Sequence, residues 1–233
     1  MNYRKMHNSG DSLSILGFGC MRFPKTNNKI DRKEAEKLLK FALDNGINYF
    51  DTAFPYHNKE SEPFLGDFFH KTGLRPKIKI ATKLPSWLIE SPNDMQKYLE
   101  EQLKRLKTDY IDYYLLHALN KNYWKILKEN NVFEFLEKAK SEGKIKNIGF
   151  SFHDSYDLFE EIIDSYPWSF CQIQLNYLDT KYQAGLKGLF YAADRNIDVI
   201  IMEPLRGGKL AEKIPAEVQN LFAKSKVKKT PAE

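Results

Sequence analysis

One alternation runs the length of the chain and limits its folds more than any other feature. A short apolar run, rich in β-branched and aromatic residues, is followed each time by a longer stretch of helical period. The runs read as strands at residues 15–20, 47–52, 78–84, 110–117, 146–151, 170–176 and 198–203. Their spacing of roughly 25–35 residues is that of successive strand–helix units. Most are apolar on both parities, as in Ile111-Asp112-Tyr113-Tyr114-Leu115-Leu116. Such strands are buried on both faces, which implies a parallel sheet covered by helices.

The intervening stretches carry helix punctuation. Asp31 can cap a helix with Glu34 three residues on, and Ala35, Leu38, Leu39, Ala42 and Leu43 form one stripe ending at Asn45-Gly46. Ser91-Pro92-Asn93-Asp94 reads as an N-cap with Pro at the first helical position, ahead of Met95, Leu99, Leu103 and Leu106 on one face. Ser141-Glu142-Gly143 closes a helix that begins near Val132. Near the N-terminus, residues 3–7 and 12–16 flank Asn8-Ser9-Gly10-Asp11, a hairpin signal. Residues 216–223 read as helix, and Thr230-Pro231-Ala232-Glu233 reads as the opening of another.

A closed parallel barrel of this kind has eight strands, and an arc of seven leaves two unpaired edges. The expectation is therefore an α/β chain folded as a TIM (β/α)8 barrel of about seven strands. The eighth βα unit is missing, the hairpin plugs one end, and residues 1–233 form a single, C-terminally truncated domain.

Composition narrows the function. Hydrophobic residues make up 42% and charged residues 29%, an ordinary globular balance. No apolar run approaches the roughly 20 residues of a membrane span, and Met1-Asn2-Tyr3-Arg4-Lys5 is not followed by the apolar stretch of a secretory signal. The two cysteines, Cys20 and Cys171, form neither a CxxC nor a disulfide framework. That fits a cytoplasmic protein without a metal or iron–sulfur site in this chain. The net charge of +5 is largely local, with Lys224, Lys226, Lys228 and Lys229 together. This reads as a solvated helix end, and no nucleic-acid partner is expected. His7, His57 and His153 do not have metal-ligand spacing.

In an α/β barrel, reactive groups collect where strands end at the C-terminal mouth. Asp51 closes the second strand, Tyr56 follows on its loop, Lys83 closes the third strand and His117 the fourth. Singly, each has an ordinary explanation as a cap, a packing residue, a solvated cation or a core histidine. Together, four polar side chains converge on one mouth.

These residues sit in motifs that resemble the aldo-keto reductase family. Asn48-Tyr49-Phe50-Asp51-Thr52-Ala53-Phe54-Pro55-Tyr56 is similar to the segment in which Asp-Thr-Ala precedes a tyrosine. Ile80-Ala81-Thr82-Lys83 is similar to the family's lysine strand and Asp109-Tyr110-Ile111-Asp112-Tyr113-Tyr114-Leu115-Leu116-His117 to its histidine strand. Leu16-Gly17-Phe18-Gly19 and Gly143-Lys144-Ile145-Lys146-Asn147-Ile148-Gly149 also match, so the resemblance covers essentially the whole chain in order.

The resemblance implies reduction of aldehyde or ketone carbonyls to alcohols by hydride transfer from NAD(P)H, on a small-molecule substrate. Tyr56 would be the general acid. Lys83 would lower its pKa from the ordinary ~10, Asp51 would pair with Lys83, and His117 would hydrogen-bond the substrate oxygen. Gln172 and Ser151 match residues that hold the nicotinamide carboxamide, although Phe152 stands where the family often has Asn. Met202 takes the place of a tyrosine that stacks on the nicotinamide, and a thioether can pack on a ring. Pro204, Leu205, Arg206 and Gly208, with Gly207, resemble a loop near the pyrophosphate. The clamp on the adenosine 2′-phosphate follows the eighth strand in this family, so NADPH is the family expectation and NADH is a second candidate. Met202-Glu203-Pro204-Leu205-Arg206-Gly207-Gly208 is similar to a branch that can carry a C-terminal ferredoxin-like segment, and no cluster motif is present in this chain. Phe23, Phe54, Trp87 and Tyr123 suggest an apolar substrate pocket. The alternative is a non-catalytic nicotinamide-binding or regulatory protein that keeps the fold. Neither the physiological carbonyl nor an oligomeric state is written in these residues.

Overall fold

The computed structural model describes residues 1–212 and 214–226. An antiparallel hairpin of β1 (Tyr3–Lys5) and β2 (Ser12–Ser14) opens the chain, and β3 (Phe18–Gly19) follows. A second small hairpin, β4 (Lys25–Thr26) with β5 (Lys29–Ile30), was not anticipated from sequence. Its turn residues Asn27 and Asn28 both have positive φ, as a type I′ turn requires and asparagine tolerates. Strand–helix units then succeed one another. They comprise α1 (Arg32–Asp44), β6 (Tyr49–Asp51), α2 (Ser61–Thr72), β7 (Lys79–Leu84), α3 (Pro92–Leu106), β8 (Ile111–Leu119), α4 (Lys121–Glu129) and α5 (Val132–Ser141). The remainder are β9 (Ile145–Phe152), α6 (Tyr156–Asp164), β10 (Phe170–Gln174), α7 (Gly185–Ala193), β11 (Asp198–Met202), α8 (Lys209–Glu212) and α9 (Ala216–Lys224).

Seven strands form one parallel sheet in the order β11-β10-β9-β8-β7-β6-β3, which is the seven-stranded partial barrel expected. The inner face gathers Met6, Leu13, Tyr49, Ala81, Tyr113, Leu115 and Phe170 into one cluster. The larger core lies between the outer face and the helices, where Tyr114, Leu116, Phe150 and Ile173 meet Leu39, Phe68, Leu99, Leu136 and Phe159. The alternation of Tyr113 and Leu115 with Tyr114 and Leu116 between these clusters is the two-residue period of a strand buried on both faces.

The expected first strand is shorter than residues 15–20, because Ile15 and Leu16 are exposed before β3 begins. β3 and β11 are the sheet's outer strands, and apolar Leu38 and Phe41 on α1 and Leu186 and Phe190 on α7 are exposed. The hairpin does close the N-terminal end of the sheet. Asp11 accepts from the Tyr113 hydroxyl (2.9 Å) and pairs with Lys79 (2.7 Å), while Asn8 Nδ2 donates to the carbonyls of Ser169 (2.9 Å) and Asn196 (2.8 Å).

Capping follows the sequence signals. Asp31 accepts from the Glu34 amide, and Ser91 with Asp94 forms a capping box. Helices α2 and α3 cross so closely that a Cβ on Gly66 would lie 2.2 Å from the Arg105 carbonyl oxygen. Among the described residues no helix is long and apolar enough to cross a membrane, and no group of three or more His, Cys, Asp and Glu could hold a metal ion. Cys20 and Cys171 are both buried and free. The helix opening expected at Thr230-Pro231-Ala232-Glu233 lies outside the described residues, as do Lys228 and Lys229.

Candidate active site

Parallel register stacks the inward side chains toward the C-terminal mouth. Asp51 ends β6 opposite Ala81, and Lys83 stands two residues further along β7, opposite Leu115. His117 is the next inward residue of β8 beyond Leu115. Lys83 is 1% exposed in its side chain, and its ammonium donates to Asp51 Oδ1 at 2.7 Å and to the Thr52 carbonyl at 2.8 Å. It also lies 5.2 Å from the centre of the Tyr56 ring. Tyr56 sits on the loop between β6 and α2. Its carbonyl accepts from the Ser61 amide (3.2 Å), and the Ser61 hydroxyl meets Thr52 Oγ1 (2.9 Å) and the Cys20 carbonyl (3.1 Å). The His117 ring approaches the Tyr56 ring edge-on at 6.2 Å. The four residues singled out in the sequence are therefore assembled in one place.

Electrostatics separate their protonation states. Burial lowers the Lys83 pKa, but Asp51 and Tyr56 outweigh it and hold the ammonium above its ordinary value. Burial pushes the Tyr56 phenol up, and the nearby Lys83 charge only partly offsets this. That corrects the expectation of a lowered value: the desolvation of a phenolate at this depth exceeds the attraction of one ammonium. Burial, then the Lys83 and His153 charges, depress His117 well below the ordinary range, so its imidazole is neutral at neutral pH. Its Nδ1 is buried without a hydrogen-bond partner among the described residues.

Gln172 and Ser151 are register neighbours on β10 and β9. Gln172 Nε2 donates to Asp51 Oδ2 at 3.0 Å, which joins it directly to the Lys83 pair. Ser151 Oγ accepts from the Ala118 amide at 2.7 Å. Ala118 has φ +54° at the irregularity of β8 just after His117, so Ser151 braces the backbone that carries His117. Phe152 points the other way, wholly buried against Phe150 and Phe159.

Met202 ends β11, half-buried, beside Gln174 in register. In the following loop Pro204, Leu205, Arg206 and Gly208 surround Gly207 at φ +68°, and Arg206 pairs with Asp179 at 3.3 Å. None of these loop residues has a hydrogen bond or ion pair to Asp51, Tyr56, Lys83 or His117. Of the four aromatics expected at the mouth, Trp87 is half exposed, 5.2 Å from His117 and 6.3 Å from Tyr123. Phe23 and Phe54 are core instead. Phe23 packs on Phe64 and His57, and Phe54 on Tyr98 under the Arg105 guanidinium.

Sequence reasoning missed the support behind Lys83. Glu62, fully buried, accepts from Thr82 Oγ1 (2.6 Å), Gln102 Nε2 (2.7 Å) and Arg105 Nη1 (3.2 Å), and Gln102 also donates to the Lys83 carbonyl (3.0 Å). A glutamate in the first turn of a helix reads as a solvated dipole partner, so its burial carries no local signal.

The family model "Aldo/keto reductase family" matches residues 15–231. An uncharacterized oxidoreductase of Bacillus subtilis is 30% identical over 233 residues, covering 91% of this chain and 69% of that protein. A protein of Glycine max named as a probable aldo-keto reductase is 35% identical over 63% of this chain and 44% of its own length. An aldo-keto reductase of Schizosaccharomyces pombe, with NADP(+) in its name, is 28% identical over 89% of this chain and 62% of its own. The chain thus spans between 44% and 69% of the length of these relatives. Among solved structures, an aldo-keto reductase from Bacillus halodurans in holo form superposes with a TM-score of 0.74 at 26% identity, covering 93% of this chain and 71% of that one. A thermostable aldo-keto reductase in complex with the inhibitor epalrestat gives 0.76 at 25% identity, covering 96% and 78%. This chain belongs to the aldo/keto reductase family.

Proposed function

We propose that this chain carries the proton-transfer machinery and part of the cofactor site of an enzyme that reduces small-molecule aldehydes or ketones with NADPH or NADH. Membership of the family supports an oxidoreductase function in general. The observation that carries the specific reading is the buried Lys83 ammonium, fixed by Asp51 and Thr52 beside the Tyr56 ring, with a neutral His117 facing the same ring.

The chemistry follows from those states. A carbonyl oxygen seated between Tyr56 and His117 gains negative charge as its carbon is reduced. Tyr56, protonated at rest because burial raises its pKa, donates its proton to that oxygen. The phenolate left behind is stabilised by Lys83, and Asp51 keeps the ammonium in place. His117 offers a ring N–H without adding a buried positive charge, which suits an electrostatic donor in a dry site. Trp87 and Tyr123 line the approach and favour an apolar substituent on the carbonyl.

The residues present fit a nicotinamide carboxamide. Ser151 Oγ accepts from Ala118, which leaves its own proton to donate, and Gln172, whose Nε2 is engaged by Asp51, keeps Oε1 as an acceptor. A donor and an acceptor side by side match the C=O and NH2 of that group. Met202 would pack on the ring, and Pro204, Leu205, Arg206 and Gly208 would lie toward the pyrophosphate. A reduced nicotinamide supplies the hydride when bound.

The test is isotope transfer. The chain is incubated with NADPH or NADH deuterated at the transferable position and a panel of aryl and alkyl aldehydes and ketones. Deuterium on the carbinol carbon is the expected result. Tight dinucleotide binding with no deuterium transferred across the panel would instead favour a nicotinamide-binding role without turnover.

A further inference from the structure

We infer that Asp51 has a second task beyond pairing with Lys83: it fixes which end of the Gln172 amide faces the mouth, and so makes the site selective for a ligand that presents an N–H donor there. This rests on the reading of Gln172 as a contact of the nicotinamide carboxamide.

Asp51 Oδ1 accepts from the Lys83 ammonium at 2.7 Å, and Oδ2 faces the Gln172 side chain at 3.0 Å. A carboxylate paired with an ammonium offers acceptors only, so the amide end turned toward Oδ2 has to be NH2, and the carbonyl oxygen has to point away. For an isolated glutamine the two orientations are nearly equivalent. Here a wrong flip would set a carbonyl oxygen against a carboxylate in a site where Gln172 is only 5% exposed. Gln172 Oε1 accepts no hydrogen bond among the described residues.

The same device recurs two residues along the same face of β10. Gln174 Nε2 donates to Asp179 Oδ2 at 3.2 Å, and Gln174 Oε1 is buried with no partner among the described residues. The inward glutamines of this strand therefore both have their NH2 groups held by carboxylates and their carbonyl oxygens free.

The consequence is specific. An acceptor held toward the mouth favours a carboxamide NH2 and disfavours an isostere that lacks the donor, because an unpaired buried acceptor is costly. Asp51 then determines cofactor selectivity without touching the cofactor. An Asp51→Asn variant keeps the shape and reverses the logic. With its oxygen on Lys83, the substituted amide turns its NH2 toward Gln172, which flips and presents its own NH2 to the ligand.

The experiment compares NADP+ with its 3-acetylpyridine analogue, which carries a methyl ketone in place of the carboxamide, by competition against NADPH fluorescence. It uses the wild-type chain, Asp51→Asn and Gln172→Leu. The wild type is expected to prefer the carboxamide by about tenfold or more. Asp51→Asn should cut that ratio to about twofold or less, and Gln172→Leu should abolish it. A second measurement needs no ligand. The Gln172 side-chain NH2 resonances, assigned by their loss in Gln172→Leu, should exchange slowly in the wild type and rapidly in Asp51→Asn. Binding with an unchanged ratio in Asp51→Asn would overturn this inference alone, as would a rapidly exchanging Gln172 amide in the wild type. A protected Gln172 amide in a chain that binds neither dinucleotide would overturn the cofactor assignment and the proposed function with it.

Discussion

The Lys83 ammonium and the Asp51 carboxylate meet at 2.7 Å with the lysine side chain 1% exposed, so this charge is compensated almost entirely by the protein. Its second acceptor is the Thr52 carbonyl at 2.8 Å. Breaking such a pair by removing one partner leaves an uncompensated buried charge, which typically costs about 3–5 kcal/mol. Asp51→Ala should therefore lower the unfolding free energy by about 3 kcal/mol in urea titrations. The double variant Asp51→Leu/Lys83→Met should recover most of that loss. A single variant within about 0.5 kcal/mol of wild type, the ordinary range for surface substitutions, would mean that water reaches the pair.

Glu62 makes a pH prediction behind the same strand. Burial raises its carboxyl above the ordinary range despite the hydrogen bonds from Thr82, Gln102 and Arg105. The folded state then holds the proton more firmly than the unfolded one. Its contribution is fully present below the unfolded value of about 4.3, and is lost as pH rises through the folded value. Glu62→Gln should flatten the stability profile across that window. Urea midpoints from pH 4 upward test this, and parallel wild-type and variant profiles would contradict it.

His117 has the opposite sign. Its folded pKa lies well below the unfolded value, near ~6.5. The stabilisation is present above that value and is lost as pH falls toward the folded one. Imidazole nitrogen shifts, assigned with His117→Gln, should show a neutral His117 ring at pH 6. A protonated ring at that pH would remove the basis for a neutral donor in the site.

Gly66 tests the packing that carries Glu62. A Cβ there would stand 2.2 Å from the Arg105 carbonyl oxygen, which is backbone and cannot rotate away. Gly66→Ala should cost about 2 kcal/mol or more as α2 and α3 are forced apart. An unchanged melting temperature would show that the helix crossing is looser than this.

The seven strands were legible because runs such as the one from Ile111 to Leu116 are apolar on both parities, a pattern that buried parallel strands require. The assembly of Asp51, Tyr56, Lys83 and His117 was legible because strand ends in this architecture share one mouth. What the sequence did not carry depended on depth and long-range contact. Burial reverses the expected pKa shift of Tyr56, and no local pattern encodes burial on a loop. The hydrogen bond between Asp51 and Gln172 spans 121 positions in sequence. Phe23 and Phe54 looked like pocket aromatics because strand-end loops supply them, yet both turn back into the core. Ile15 and Leu16 continued the apolar pattern of β3 while lying outside the sheet.

The central claim is that Tyr56 is the proton donor of a carbonyl reduction supported by Lys83. Tyr56→Phe tests it most directly, with turnover and NADPH dissociation constants measured on the same preparations as the wild type. The prediction is a loss of turnover of at least about 100-fold with the dissociation constant changed less than about threefold, since the phenol does not hold the cofactor in this account. Turnover that survives the substitution would contradict the assignment.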